Sequence, residues 1–250
     1  MPLVTGFRYV FQGAKLLSHP GLRLFVLLPL LVNVLMFAIG LAVLIFFVSG
    51  WMDGVVSWLP SWLSGITWIL WVLFILLFGV AVFFGFNLLA NFIAAPFNGL
   101  LAEKVQLHLT GQDLGESGLG AIMASIPRSL GREISKLTYY LPRLLVLLVL
   151  SAFSLFIPVL NVIVALLWLV FGAWMMVIQY IDYPMDNNGL SFRAMRRSLN
   201  QQRLLHLGFG GGVSILLMIP LLNFFAMPIA VAGATALYVA EHETLAIIDQ

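Results

Sequence analysis

Four long uncharged segments alternate with short polar ones along the chain. The uncharged segments cover residues 24–52, 54–102, 144–181 and 204–240. A helix that crosses a bilayer needs about 20 consecutive apolar residues. Each segment is therefore long enough to contain at least one helix that enters a membrane.

The first two segments each predict one long spanning helix. Span 1 is predicted over residues 22–48, with a kink at Pro29, and span 2 over residues 66–102. Residues 49–65, between them, are rich in Trp. Because Trp is enriched where a membrane meets water, this segment is predicted to lie at the extracytoplasmic face.

The last two segments predict helical hairpins over residues 144–181 and 204–240. Each is bounded by charged residues, so both its ends lie on one side of the membrane. Two full spans and a turn need about 44 residues, whereas these segments have 38 and 37. Each is interrupted near its middle by an Ile-Pro-x-Leu-Asn motif, at residues 157–161 and 219–223, and Pro and Asn favour helix ends and turns. Two alternatives stay open, namely hairpins that enter the membrane without crossing it and tight pairs of tilted helices that cross it.

The basic residues predict which side is cytoplasmic. All 12 Lys and Arg lie before residue 24, within residues 103–143 or within residues 182–203. The predicted topology puts these segments on the same side, which the positive-inside rule makes cytoplasmic. The chain is thus predicted to be one multi-pass, all-α membrane domain with a cytoplasmic N-terminus. Its remaining parts are an interfacial helix over residues 1–20, cytoplasmic basic segments over 103–143 and 182–203, and a tail over 241–250.

The composition agrees with a membrane protein and excludes several other classes. Hydrophobic residues make up 62% of the chain and charged residues 9%, whereas soluble domains are about half apolar and about a quarter charged. The absence of cysteine excludes a disulfide scaffold and thiolate metal ligands, and the four His are scattered, so neither a metal nor a cofactor is predicted. The net charge of +2 is too small to indicate a nucleic-acid partner. No nucleotide-binding or hydrolase motif is present, so an enzyme is not predicted.

Three segments predict amphipathic helices at the cytoplasmic interface. They lie within residues 1–20, within residues 128–141 and after a probable helix cap at Ser191. Their arginines allow two interpretations, as anchors for lipid headgroups or as a basic vestibule that concentrates an anion. The apolar and basic faces consist of Phe7, Val10, Phe11, Ala14 and Leu17 against Arg8, Gln12 and Lys15 in the first helix, and of Leu130, Ile134, Leu137 and Leu141 against Arg128, Arg132 and Lys136 in the second.

The start of span 1 is a candidate anion site formed by Gly21, Leu22 and Arg23. Pro20 favours a helix start, and the amides that follow have no acceptor within the helix. Gly21 allows close approach to the backbone, and Arg23 adds a planar fork of donors that suits a tetrahedral oxyanion. The alternative is an ordinary helix start whose Arg extends to the headgroups.

Polar residues near the spans are candidates for a permeation path. Asn87, Asn91 and Asn98 recur on one face of span 2, either as hydrogen-bonding contacts between helices or as the lining of a pore. Glu103 follows closely, and a partner such as Arg128 would stabilise its charge near the membrane.

Several short stretches, in order along the chain, resemble the CysZ family of bacterial sulfate permeases. Each stretch is modest alone, but the ordered set is specific. The stretches are Gly-Leu-Arg at 21–23 with Leu-Leu-Pro-Leu-Leu-Val-Asn at 27–33, Ala-Ala-Pro-Phe-Asn-Gly-Leu-Leu-Ala-Glu at 94–103, Tyr-Leu-Pro-Arg at 140–143, Gln-Tyr-Ile-Asp-Tyr-Pro-Met-Asp-Asn at 179–187, and Met-Ile-Pro-Leu-Leu-Asn at 218–223.

The resemblance implies sulfate uptake across the bacterial inner membrane to supply cysteine biosynthesis. It also implies two long spans with two partly penetrating hairpins, a homo-oligomer, and a sulfate site at Gly21, Leu22 and Arg23. One departure is Leu24, where members of the family often have a second Arg. We expect sulfate to pass Asn33, Asn87 and Asn91, with Glu103 and Arg128 as a charged gate. The alternative is a membrane scaffold that does not transport and that binds lipid or a partner.

Overall fold

All the regular secondary structure in the described part of the chain is helical. The computed structural model describes residues 1–58, 65, 67–111 and 119–248. Its eight helices confirm the all-α class that the sequence predicts. They are α1 Pro2–Leu17, α2 Arg23–Ser57, α3 Thr67–Thr110, α4 Leu119–Ser154, α5 Pro158–Asn187, α6 Phe192–Leu199, α7 Arg203–Met218 and α8 Pro220–Ile248.

The chain forms two compact units. One contains residues 1–29 and 95–250, and the other contains residues 30–94. The smaller unit holds most of α2 and the first part of α3, which are the helices of the two predicted spans. The helix α2 continues to Ser57, into the Trp-rich segment, and residues 59–64 of that segment lie outside the described residues.

Both predicted hairpins turn at their Ile-Pro-x-Leu-Asn motifs. The helix α4 ends at Ser154 and α5 begins at Pro158, while α7 ends at Met218 and α8 begins at Pro220. At the first position of a helix, Pro loses no hydrogen bond and its fixed φ fits the helix. Residues 126–154 and 159–187 are each long and apolar enough, by length and composition, to cross a membrane.

The helix α4 turns its polar face inward and its apolar face outward. Lys136 is 4% exposed, whereas Ile134, which lies about half a helical turn away, is 55% exposed. Leu141 is also exposed on the outer face, at 54%. An apolar exterior around a polar interior suits a helix in lipid, where exposed methyl groups cost nothing and exposed charge is expensive. The prediction that its basic stripe anchors headgroups is therefore wrong for Lys136 and for Arg132, which is also largely covered.

The inward charges of α4 meet carboxylates of α5 in a network that we call the α4–α5 ion cluster. It consists of Arg128, Arg132, Glu133, Lys136, Asp182 and Asp186. Lys136 Nζ lies 2.7 Å from Glu133 Oε1 and 3.2 Å from Asp182 Oδ2. Arg132 bonds the other oxygen of Asp182, and its Nε lies 3.5 Å from Asp186 Oδ1.

Tyr183 and Asn98 extend this cluster to two further helices. The Tyr183 hydroxyl donates to Glu133 Oε1 at 3.3 Å and accepts a hydrogen bond from the Asn98 amide on α3 at 3.2 Å. The same amide lies 3.4 Å from Met227 Sδ on α8. Asn98 thus acts as a contact between helices, the first of the two alternatives for the Asn stripe. Four helices are joined at one buried polar centre.

Glycines let the hairpin helices pass close to one another and to α1. A Cβ atom on Gly210 would collide with the Ala173 carbonyl on α5 and would lie 2.8 Å from Val177 Cγ2. A Cβ on Gly6 would collide with the Leu205 carbonyl on α7, and one on Gly13 with the Ile229 carbonyl on α8. The glycine-rich stretch at residues 208–212 therefore serves backbone-to-backbone packing.

The helix α1 is part of the core rather than only an interfacial element. Its buried residues are Gly6, Val10, Gly13 and Leu17. Phe11, which the sequence places on the apolar face with them, is 64% exposed. The packing stripe is rotated towards the two glycines because they allow the closest approach to α7 and α8.

The glycine packing can be tested with two neighbouring substitutions. We expect Gly210→Ala to lower the free energy of unfolding by about 1–3 kcal/mol, because the added methyl group overpacks the α5–α7 contact. Gly211→Ala is the matched control, since a Cβ there meets nothing within 4 Å. It should be neutral or stabilise the helix by up to about 1 kcal/mol. Thermal unfolding in detergent measures both, and equal effects would contradict the proposed close packing.

The ion cluster can be tested at Lys136. Lys136→Met should destabilise the protein by about 3–5 kcal/mol, because it leaves the buried carboxylates of Glu133 and Asp182 short of positive charge. Lys15→Met, at an exposed position of α1, should change stability by no more than about 0.5 kcal/mol.

A second substitution separates charge from packing at this position. Adding Glu133→Gln to Lys136→Met should restore part of the lost stability, because it removes one of the uncompensated charges. Strictly additive losses in the double variant would show that Lys136 acts through its packing alone.

Candidate anion site

The predicted anion site lies in the short connection between α1 and α2. Residues 18–22 form a turn in which the His19 amide donates to the Leu16 carbonyl, and the Leu22 amide donates to the His19 carbonyl, both at 3.0 Å. The Leu22 side chain is 3% exposed and belongs to the hydrophobic core. Leu22 therefore fixes the turn to the core, while the residues on either side of it face outward.

Gly21 and Arg23 form the exposed part of this site. A Cβ on Gly21 would meet only His19 Nδ1, at 4.0 Å, so the backbone is open to a ligand there. Among the described residues, the backbone amides of Gly21 and Arg23 have no backbone acceptor. The Leu22 amide is bonded within the turn, so the prediction that all three amides are available is wrong for Leu22.

The Arg23 side chain closes back over the turn. Its Nε and Nη2 donate to the Ser18 carbonyl at 3.2 and 2.9 Å. Because a guanidinium has five N–H groups, the remaining donors stay available while these two bonds fix the orientation of the plane. An exposed, oriented guanidinium beside two available amides provides an arrangement of donors that suits a tetrahedral oxyanion.

His108 is a neighbour of this site that sequence reasoning missed. It lies in the last turn of α3, and its ring contacts that of His19 in a tilted arrangement, with centroids 4.3 Å apart and planes 48° apart. Both rings are solvent-exposed. The two residues are far apart in sequence and belong to no motif, so only the three-dimensional fold brings them together.

The two residues of the predicted charged gate have separate partners. Glu103 is 4% exposed and its Oε1 lies 3.1 Å from Lys104 Nζ. Arg128 Nε lies 3.3 Å from Asp186 Oδ2 at the edge of the α4–α5 ion cluster. Among the described residues, each charge is thus paired with a residue other than the expected one, and the role of Glu103 and Arg128 in permeation stays a prediction.

The candidates for the permeation path lie mostly in the smaller unit. Asn33 is in α2, and Asn87 and Asn91 are in α3. Their side chains lie outside the described residues, as does that of Leu24. These residues stay predictions.

A second missed pair joins the start of α7 to the chain near its C-terminal end. His206 is fully buried, with Nδ1 3.0 Å from the Leu199 carbonyl oxygen and Nε2 3.1 Å from Glu241 Oε1. Both ring nitrogens thus face oxygen atoms that can accept a hydrogen bond. Burial raises the pKa of the Tyr9 hydroxyl, and the charge of Glu241 raises it further. Glu241 is thus part of the packed structure and not of a solvated tail.

Two of the stretches quoted for the family resemblance meet around one region of the larger unit. Asn98 from residues 94–103 contacts Tyr183, and Asn187 donates to the Gly99 carbonyl at 2.7 Å. Asp182 and Asp186, from residues 179–187, carry the carboxylates of the ion cluster. The pattern of these stretches is explained by buried hydrogen bonds and ion pairs that hold α3, α4 and α5 together.

Comparison with known proteins gives matches over nearly the whole chain. A family described as sulfate transporter CysZ/etoposide-induced protein 2.4 matches residues 9–228. A protein of Pseudomonas aeruginosa named sulfate transporter CysZ is 48% identical over 251 residues, which cover 99% of this chain and 100% of that protein.

Two further relatives with the same name agree. The protein of Pseudomonas fluorescens is 48% identical over 100% of this chain and 98% of its own length. The protein of Pectobacterium atrosepticum is 43% identical over 96% of this chain and 86% of its own length. Identity at this level over the full length excludes a chance match of short motifs. The chain therefore belongs to the sulfate transporter CysZ/etoposide-induced protein 2.4 family.

Proposed function

We propose that this membrane protein carries sulfate into the bacterial cytoplasm for cysteine biosynthesis. The observation that carries the proposal is the full-length identity of 48% to proteins named sulfate transporter CysZ. The exposed donors at Gly21 and Arg23 support it, because they provide the chemistry that a tetrahedral dianion requires. No chemical step on the substrate is part of the proposal.

Sulfate would bind where α1 turns into α2, which the predicted topology places at the cytoplasmic end of its path. The free N–H groups of Arg23 would bond two sulfate oxygens, and the amides of Gly21 and Arg23 would bond a third. The His19 and His108 rings, which contact each other, would support the turn from the side of α3. With Leu24 in place of a second Arg, the site would depend on Arg23 for its one full side-chain charge.

Beyond this site we propose a path along the polar residues of the two long helices. Asn33, Asn87 and Asn91 would supply amide donors in place of water. Glu103, a buried carboxylate, would repel anions unless its charge stayed paired with Lys104. Glu103 and Arg128 would thus act as two separate charged positions, each with its own partner, and not as one gate.

The membrane potential sets the energetic limit on such a path. Moving a dianion into a cell that is negative by about 100 mV costs about 4.6 kcal/mol, or about three decades in concentration. A passive, channel-like path therefore works only where consumption keeps cytoplasmic sulfate low. We propose this passive mode in a homo-oligomer of the inner membrane, with the basic segments facing the cytoplasm.

The exposed surface of the first predicted hairpin, residues 144–181 (hairpin 1), supports partial penetration of the membrane. Its tip is strongly apolar, with Leu155 79%, Phe156 84% and Val159 75% exposed. After Arg143, the last charged residue of α4, residues 144–154 give about 17 Å of helix, against about 30 Å for the hydrocarbon core. An apolar tip on arms of this length would end inside the bilayer.

The sulfate site is tested by Arg23→Ala. We expect sulfate binding to weaken by about 1.5–3 kcal/mol, or about 10- to 150-fold, because a charge-assisted hydrogen bond is lost. Arg8→Ala is the matched control, since Arg8 is an exposed arginine on α1. Calorimetric titration of both folded proteins with sulfate measures the difference. Unchanged affinity in Arg23→Ala would remove Arg23 from the site.

The depth of hairpin 1 is tested with a single thiol, because the chain has no cysteine. Asn161→Cys, beside the tip, should resist a membrane-impermeant maleimide added from the extracytoplasmic side. Ser57→Cys, at the end of α2, should react with it. If residue 161 were labelled as fast as residue 57, this would show instead that the hairpin crosses the membrane.

A further inference from the structure

A ladder of alternating cations and aromatic rings runs along the surface where α6 meets α4. Arg143 lies with its Cζ atom 3.5 Å from the ring centre of Tyr139, and Arg196 lies 5.0 Å from the same ring. Arg196 is also 5.3 Å from the ring of Phe192, and Arg132 is 5.5 Å from that ring. We call these five residues the arginine ladder.

The arginines of this ladder differ in how their charge is balanced. Arg132 is paired with Asp182 and Asp186 in the α4–α5 ion cluster. Among the described residues, Arg143 has the Tyr139 carbonyl as its acceptor, at 2.7 Å, and no carboxylate partner. Within the same residues, Arg196 has neither a carboxylate partner nor a hydrogen-bond acceptor, and its Nε is buried.

Two guanidinium groups that share one aromatic ring and have no counterion create a strongly positive position. The ring quadrupole stabilises each cation only in part. Like charges at short range repel each other, and a bound anion reverses that cost. Both guanidinium groups next to the Tyr139 ring keep N–H groups that no described residue accepts, and these donors are available to an oxyanion.

The position of the ladder along the hairpin indicates where such an anion comes from. Arg143 is the last charged residue of α4, and the exposed apolar surface follows it directly, with Leu145 62% and Val146 58% exposed. The helix α6 buries Met195 and Leu199 and exposes Arg193 and Arg197. A charge at the border between a basic surface and an apolar band lies at the level of lipid phosphates.

We propose that Arg143 and Arg196 form a second anion site, separate from Gly21–Arg23, that binds a phosphate group. Its occupant is the headgroup of an anionic phospholipid, which would fix α6 and the base of hairpin 1 at the membrane surface. A free inorganic phosphate would satisfy the same donors, so the experiment distinguishes the two sources. The site does not depend on sulfate transport by the protein.

The test uses protein with the Arg23→Ala substitution, so that the first anion site contributes little. Thermal unfolding is followed in neutral phosphatidylcholine micelles while either phosphatidylglycerol or inorganic phosphate is added at constant ionic strength. We expect phosphatidylglycerol to stabilise the protein and inorganic phosphate to have no effect at the same concentration. Arg143→Gln and Arg196→Gln should each raise the phosphatidylglycerol concentration needed by about fivefold. Arg193→Gln, an exposed arginine outside the ladder, should leave it unchanged.

Each other outcome has a defined meaning. Stabilisation by inorganic phosphate that both ladder variants weaken would keep the anion site and reject the lipid as its source. An equal loss in Arg193→Gln would show a diffuse surface charge and overturn the site. A response to phosphatidylglycerol that neither ladder variant changes would also overturn it. Arg196→Lys, which keeps the charge but not the planar stacking, tests the site without removing a cation, and it should give an intermediate loss.

Discussion

The constraint that shapes the larger unit is that its buried charges must be neutralised by other parts of the protein. The outer faces of α4 and α5 are apolar, and Arg132 and Lys136 of α4 point inward. There, Lys136 and Arg132 share the carboxylate of Asp182. Breaking a buried pair costs far more than an exposed one, which makes the register between α4 and α5 specific. Asn98 and Tyr183 extend the same centre to α3 and α8.

The remaining architecture follows from this centre and from the glycine contacts. Gly210 sets α7 against α5, and Gly6 and Gly13 set α1 against α7 and α8. Since α1 is fixed in this way, the turn that follows it is also fixed, with Leu22 in the core. The candidate sulfate site is therefore a loop held on a rigid base, so that Arg23 and the free amides are oriented before an anion binds.

The sequence predicts the elements well because charge-free length and proline position are local signals. The hairpin turns fall at Pro158 and Pro220, as the repeated motif indicates. It does not predict which face of α4 is buried, because periodicity gives a stripe without a direction, and in lipid the apolar stripe faces outward. Pairings such as His206 with Glu241, or His19 with His108, depend on contacts between distant segments and leave no local pattern.

The two anion-binding positions have different roles in this account. The Gly21–Arg23 loop offers exposed donors to a soluble dianion, and the arginine ladder offers a phosphate site at the membrane surface. The central claim is a passive path for sulfate. It is tested most directly by uptake of labelled sulfate into proteoliposomes, with the membrane potential clamped at zero and then at inside-negative values. The account predicts saturable uptake at zero potential that falls when the inside is negative. Uptake that rises at negative potential, or no uptake above empty liposomes by folded protein, would contradict it.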